Sequence, residues 1–123
     1  MSKTSIVLAI AALSHGCADV CSNKTISAVW SPNGLKQAAV FERNCGATTS
    51  YSYHVAVIEK GDDPLPTGNV LVLDDDHGAA TDPVPSLRWL NQTALEVAYP
   101  VGARIFEKKN EARNILIKYR ERQ

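Results

Sequence analysis

The run Asp74-Asp75-Asp76-His77 is the densest group of side chains in this sequence that could bind a divalent cation. Carboxylates and imidazole are common metal ligands, but neighbouring residues of an extended chain point to opposite faces, so at most two of the three aspartates share a side. The spacing is neither that of an EF-hand loop nor that of a zinc site. We therefore interpret the run as a solvated acidic loop and predict neither a metal ion nor a cofactor.

His54 and His77 could each act as a general base toward a serine such as Ser50 or Ser52. An adjacent imidazole activates a serine hydroxyl by accepting its proton. No nucleophile-elbow motif surrounds either serine, and a lone histidine on a strand, as His54 is here beside Ser52 and Ala56 on one face, is usually structural. We predict no catalytic residue, and a hydrolase using His54 or His77 is the enzyme alternative.

Residues 1–17 have the order of a bacterial secretion signal. One lysine precedes eight consecutive apolar residues at 6–13, a stretch far too short to span a bilayer as a helix. Gly16 directly before Cys17 resembles a lipobox, in which the cysteine receives acyl chains such as palmitate and becomes the first mature residue. The competing route is signal-peptidase cleavage after Ala18, because the same residues also follow the small-x-small rule.

The cysteine count bears on which thiols pair after export. Three cysteines leave one thiol over, and acylation of Cys17 removes it, so that Cys21 and Cys45 can form a disulfide in the oxidising periplasm. Cleavage after Ala18 leaves the same pair, so the bridge does not distinguish the two routes. The alternative is that both thiols stay free.

A loop of small and hydroxyl-bearing residues follows Cys45. Its backbone amides could hold a ligand or a carboxylate of a partner, or the loop could be a tight turn in which Gly46 takes a φ angle that other residues avoid. We predict that the loops contacting a partner include Gly46, Ala47, Thr48, Thr49, His77 and Gly78.

Apolar residues along most of the chain alternate with polar ones, which is the period of a half-buried β-strand. The alternation predicts strands at 25–30, 35–43, 52–59, 69–74, 86–90, 93–99, 103–107 and 114–120. The segment 111–121 could also be a helix, but its apolar residues step by two, which favours a strand. About eight short antiparallel strands imply an all-β sandwich or a partly open barrel.

Length and charge limit the domain count and the classes of partner. The 123 residues suit a single domain, which we place at 25–123 after a signal peptide at 1–17 and a short tether at 18–24. The 13 lysines and arginines balance the 13 aspartates and glutamates, and no basic run is interleaved with aromatic residues. We therefore predict no nucleic-acid partner.

Several stretches resemble the signature sequences of an uncharacterised group of small Gram-negative envelope lipoproteins. They are SPNG at 31–34, FERNCGATT at 41–49, HGAA at 77–80 and RWL at 88–90. The usual forms in that group are close to SPDG, FERDCGATT, HGAA and VRWL, so this chain departs from them at Asn33 and Asn44, and the leucine of its lipobox is displaced by one position. The resemblance implies a lipidated, exported β-rich domain in which Cys45 pairs with Cys21, and it carries over no activity.

These patterns predict a small lipoprotein of the cell envelope, held in the outer membrane by acyl chains on Cys17 and facing the periplasm. A soluble periplasmic or secreted protein is the alternative location. We expect the β-domain to bind an envelope protein or a toxin-like partner through its CGATT and HGAA loops, with an inhibitor or immunity-type role as one form. The alternative functions are a periplasmic hydrolase and a purely structural envelope component.

Overall fold

The computed structural model describes residues 20–46 and 51–123, and over these residues the fold is all-β without a helix. Its strands are β1 Ser22–Trp30, β2 Lys36–Asn44, β3 Ser52–Glu59, β4 Leu71–Asp74, β5 Ser86–Asn91, β6 Ala94–Pro100, β7 Arg104–Lys108, β8 Glu111–Ala112 and β9 Ile115–Arg122. The predicted all-β class is confirmed, and the two-residue β8 is an addition to the predicted strands. The predicted signal peptide with Cys17 lies outside the described residues, as do Ala47, Thr48 and Thr49.

The strands form two sheets that do not close into a barrel. The first sheet has the order β1-β2-β3-β4-β7, and the second has the order β5-β6-β9-β8. Every pair in the first sheet is antiparallel. The arrangement of two facing sheets therefore agrees with the predicted sandwich.

One strand pair in the second sheet differs from the expected antiparallel arrangement. β6 and β9 run parallel, with Ala94 opposite Leu116 at one end and Pro100 opposite Arg122 at the other. Parallel neighbours need a crossover connection, because a tight turn cannot join them. Here the crossover consists of β7, which adds to the first sheet, followed by β8. The prediction of purely antiparallel strands is wrong for this pair, because alternating hydrophobicity does not encode the direction of a neighbouring strand.

The core lies between the two sheets and is built from their inward-facing side chains. These are Ala38, Val40, Val55, Val57, Leu71 and Leu73 from the first sheet and Leu95, Val97, Tyr99, Ile115 and Ile117 from the second. Burying each aliphatic side chain of this size contributes about 1.5–3 kcal/mol. Polar contacts also link the two sheets: Trp89 Nε1 donates to the carbonyl oxygen of Val29 at 3.0 Å, and the Tyr119 hydroxyl donates to that of Val70, just before β4, at 3.1 Å. Lys108 Nζ of β7 donates to the Tyr99 hydroxyl of β6 at 3.2 Å.

β3 is buried on both faces, although only one of them meets the core. Val55 and Val57 point toward the second sheet, whereas His54, Ala56 and Ile58 lie on the outer face and are also buried. The outer side chains are covered by the connection at residues 61–68, which we call the strap. β3 therefore lies between the second sheet and the strap.

Two boundaries bear on the sequence predictions. The segment at 111–121 forms strands β8 and β9, in which Ile115 and Ile117 are buried while Leu116 and Lys118 are exposed. β1 begins at Ser22, three residues before the predicted start of the domain.

No helix in the described ranges is long and apolar enough to cross a membrane.

Candidate functional site

The register of the first sheet brings the predicted partner loops to one end of the molecule. Ser22 of β1 pairs with Asn44 of β2, so the start of the domain lies beside the end of β2. At the same end Asp74, the last residue of β4, pairs with Arg104, the first residue of β7. Because antiparallel neighbours alternate in direction, the connections after β2 and after β4 emerge together. We call this end the loop end and define it by Cys21, Cys45, Gly46, residues 75–80 and residues 101–103.

A disulfide between Cys21 and Cys45 closes the loop end at the edge of the sheet. It joins the residue before β1 to the residue after β2, and these strands already pair along their length. Gly46 follows with a φ of 124°, and its N–H donates to the side-chain oxygen of Asn44 at 3.0 Å. Gly46 therefore occupies a turn whose backbone angle favours glycine.

Asp74 fixes the start of the acidic loop. Arg104 donates to both carboxylate oxygens of Asp74, from Nε at 3.2 Å and from a terminal nitrogen at 2.6 Å. The N–H of Asp76 donates to the same carboxylate at 2.9 Å. These hydrogen bonds, led by those from Arg104, hold the pKa of Asp74 below its usual value despite its burial. The Asp74 carboxylate is therefore already used to hold the loop against β7.

The tip of this loop carries His77 and Gly78. Asp76, His77 and Gly78 all have positive φ angles, of 51°, 57° and 90°, so the chain turns sharply outward there. His77 and Gly78 are exposed at the turn. On its inner side the loop is close to Gly102, where an added Cβ would lie 3.4 Å from the carbonyl oxygen of Ala79. The acidic loop and the turn after β6 therefore form one continuous surface.

His54 lies away from the loop tip, beneath the strap, and is only 4% exposed. Its Nδ1 accepts the N–H of Gly68 at 2.9 Å, and its ring stacks on Phe41 with the ring centres 5.0 Å apart. An Nδ1 that accepts a hydrogen bond carries no proton, so the proton of the neutral ring is on Nε2 and points to Ser52 Oγ, 2.9 Å away. Burial, aided by the charge of Arg43, lowers the pKa of His54 to about 4.

The direction of these hydrogen bonds bears on the hydrolase alternative. A general base must accept the proton of Ser52, but in this arrangement the Nε2 of His54 donates to that hydroxyl. The other ring nitrogen is taken by the backbone of the strap. The contacts of His54 are thus those of a structural side chain that holds the strap on the sheet.

A groove on the outer face of the first sheet is a feature that the sequence did not predict. Its floor is a single cross-strand row of alanines on three adjacent strands, in which Ala28 pairs with Ala39 and Ala39 pairs with Ala56. The groove has a volume of about 280 Å³, and Pro64 and Leu65 of the strap line one side of it. Only the register places the alanines side by side, so the linear sequence carries no signal for the groove.

The structure describes part of the predicted partner surface. Gly46, His77 and Gly78 all lie at the loop end, whereas Ala47, Thr48 and Thr49 fall outside the described residues. Comparison of the chain with protein-family models, with curated proteins and with solved structures finds no match.

Proposed function

We propose that this chain is a small, periplasm-facing binding module of the bacterial envelope, anchored by acyl chains on Cys17 and contacting a protein partner through the loop end. The observation that carries the proposal is the convergence of the two predicted partner loops at one end of the first sheet. Residues 45–46 and 75–80 are far apart in the sequence, yet the strand register brings both to the same end of the sheet, with β3 between them. Binding sites are commonly built from loops that a rigid scaffold positions in this way.

The loop end is held in place before any partner arrives. The disulfide ties Cys45 after β2 to Cys21 before β1, and the paired hydrogen bonds between Arg104 and Asp74 fix the start of the connection after β4. A surface that is already ordered loses little conformational entropy on binding. The described part of the loop end therefore suits a specific protein contact.

The distance from the proposed anchor to the domain limits where the partner can be. Cys17 and Cys21 are separated by four peptide links, which span at most about 14 Å when fully extended. Acyl chains on Cys17 would therefore hold the loop end close to the bilayer, and more than one chain makes such an anchor stable. We infer that the partner is itself an envelope protein at the membrane surface.

The charge of the acidic loop indicates the chemistry of that partner. Asp75 and Asp76 lie beside the exposed tip, whereas Asp74 is neutralised by Arg104. Acidic groups near an interface speed the encounter with a basic surface. A partner with a basic patch, such as a toxin-like protein held by an inhibitor or immunity-type module, fits this surface.

Site-specific photo-cross-linking in cells tests the partner site. A photoreactive amino acid replaces Ala79, which is exposed at the loop end, or Leu35, which is exposed at the opposite end of the β1–β2 hairpin. We expect Ala79 to give a cross-linked product of defined mass in the envelope fraction and Leu35 to give none. The product from Ala79 should decrease when Asp75→Lys and Asp76→Lys are introduced. Equal products from both sites, or none from Ala79, would contradict the proposal.

A further inference from the structure

The groove on the outer face of the first sheet has a shape set by side-chain size. The three alanines of its floor stand between two rows of larger residues. Phe41 lies in the row on one side, and Gln37 and Ile58 lie in the row on the other side. Small side chains between large ones leave a channel that runs across the strands rather than along them.

The strap borders the groove, reaches from the end of β3 across the outer face to β1 and β2, and is fixed at both of its own ends. Near its start the N–H of Asp62 donates to the carbonyl oxygen of Glu59 at 3.1 Å. Near its end the carbonyl oxygen of Pro66 accepts hydrogen bonds from Asn23 at 3.0 Å and from Arg43 at 2.8 Å. The segment between these points, Pro64 and Leu65, lies over the groove without entering the core.

The groove is open at β1, the edge strand of the sheet, although Pro66 of the strap also contacts Asn23 there. All nine residues of β1 are exposed, and Asn23, Thr25 and Ala28 line the groove there. Thr25 and Asn23 place polar groups at the mouth, while the interior is lined by alanine, phenylalanine, isoleucine, proline and leucine side chains together with Gln37.

The lining determines the class of ligand. None of the groove's lining residues carries a formal charge, so a charged group deep inside it would lose hydration without gaining an ionic partner. At the mouth, Arg43 donates to the side-chain oxygen of Asn23 at 3.0 Å. Since a water molecule occupies about 30 Å³ in the liquid, the groove has room for about nine or ten non-hydrogen atoms. Mostly apolar walls with a few polar groups at the opening are typical of sites for small hydrophobic molecules.

We propose that this groove binds a mainly aliphatic small molecule of about that size, with its polar end at the mouth beside Asn23 and Thr25. The proposal goes beyond the partner contact at the loop end, because the groove lies on a different face and uses different residues. The failure of either proposal leaves the other standing.

An NMR titration with n-octanol tests the proposal on the disulfide-bonded protein. We expect saturable shifts of the alanine methyl groups on the groove floor, with a dissociation constant of about 1 mM or below. Absence of saturable shifts at Ala28, Ala39 and Ala56 would overturn the proposal.

Variants separate the groove from general hydrophobic adsorption. Ala28→Leu fills the open end at an exposed position, and Leu65→Ser removes an apolar side chain from the strap. Both should weaken octanol binding by about tenfold or more, because the probe loses either space or apolar contact. Ala79→Leu, the matched change at an exposed alanine of the loop end, should leave the affinity unchanged.

Two results of the variant titrations would overturn the proposal. The first is octanol binding that is unaffected by both Ala28→Leu and Leu65→Ser. The second is that the NMR shifts of the groove alanines change with protein concentration and not with octanol concentration. That result would identify a second copy of the chain as the occupant of the groove.

Discussion

At the residue scale, His54 is the side chain that joins the outer face of the first sheet to the strap. It accepts a hydrogen bond from the strap, donates one toward Ser52 and stacks on Phe41. The alternating pattern of β3 correctly placed His54 on one face with Ser52 and Ala56. It could not predict the contact with Gly68, because that contact depends on how the following connection folds back over the strand.

Acidification should destabilise the protein through His54. Its folded pKa of about 4 lies below the ordinary value of 6.5, so the unfolded chain binds the proton first as the pH falls. Stability is therefore full above pH 6.5 and is lost progressively from there to about pH 4, by an amount on the order of 3 kcal/mol. Denaturant unfolding at a series of pH values measures this slope.

The two histidine variants form a matched pair for that experiment. His54→Gln should lower stability at pH 7 and flatten the slope between pH 6.5 and about pH 4, because the titrating group is gone. His77→Gln, at the exposed loop tip, should keep the slope of the parent protein. A parent slope that survives in His54→Gln would show that another group causes the acid sensitivity.

At the element scale, the β1–β2 hairpin is an edge element held by pairing and by the disulfide. All of β1 is exposed, so little burial stabilises this strand. The bridge between Cys21 and Cys45 closes a separation of 24 residues and restricts the unfolded chain. Counting cysteines predicted this pair, because an exported chain seldom leaves two thiols free.

Removal of the bridge should weaken the domain measurably. The double variant Cys21→Ala and Cys45→Ala should lose roughly 3 kcal/mol of unfolding free energy, because its unfolded chain regains loop-closure entropy. Chemical denaturation with and without reductant measures the effect. The reductant should destabilise the parent protein to the level of the double variant and leave the double variant unchanged. A parent protein that is insensitive to reductant would contradict the stabilising role of the bridge.

Strand positions and strand partners differed in how far the sequence could predict them. The two-residue period predicted the strand from Ile115 onward, where buried and exposed residues alternate. The parallel pairing of β6 with β9 and the alanine row of the groove both depend on which strands become neighbours. The packing of the whole chain determines which strands become neighbours, and no local sequence pattern predicts it.

At the scale of the whole molecule, the proposed functions occupy separate surfaces. The loop end lies beside the start of the domain, whereas the groove crosses the outer face of the first sheet. The register of the first sheet explains why Gly46 and His77 lie at the same end of the domain. An anchor at Cys17 would hold the loop end toward the membrane and leave the groove open at the side of the domain.

The intact mass of the mature protein, isolated from bacterial membranes after export with its own signal, tests the anchored binding module most directly. We predict a chain that begins at Cys17 and carries the added mass of acyl chains. Reduction should add about two mass units, as expected for one disulfide. An unacylated chain that begins at Asp19 would contradict the membrane anchor and would indicate a soluble periplasmic or secreted protein.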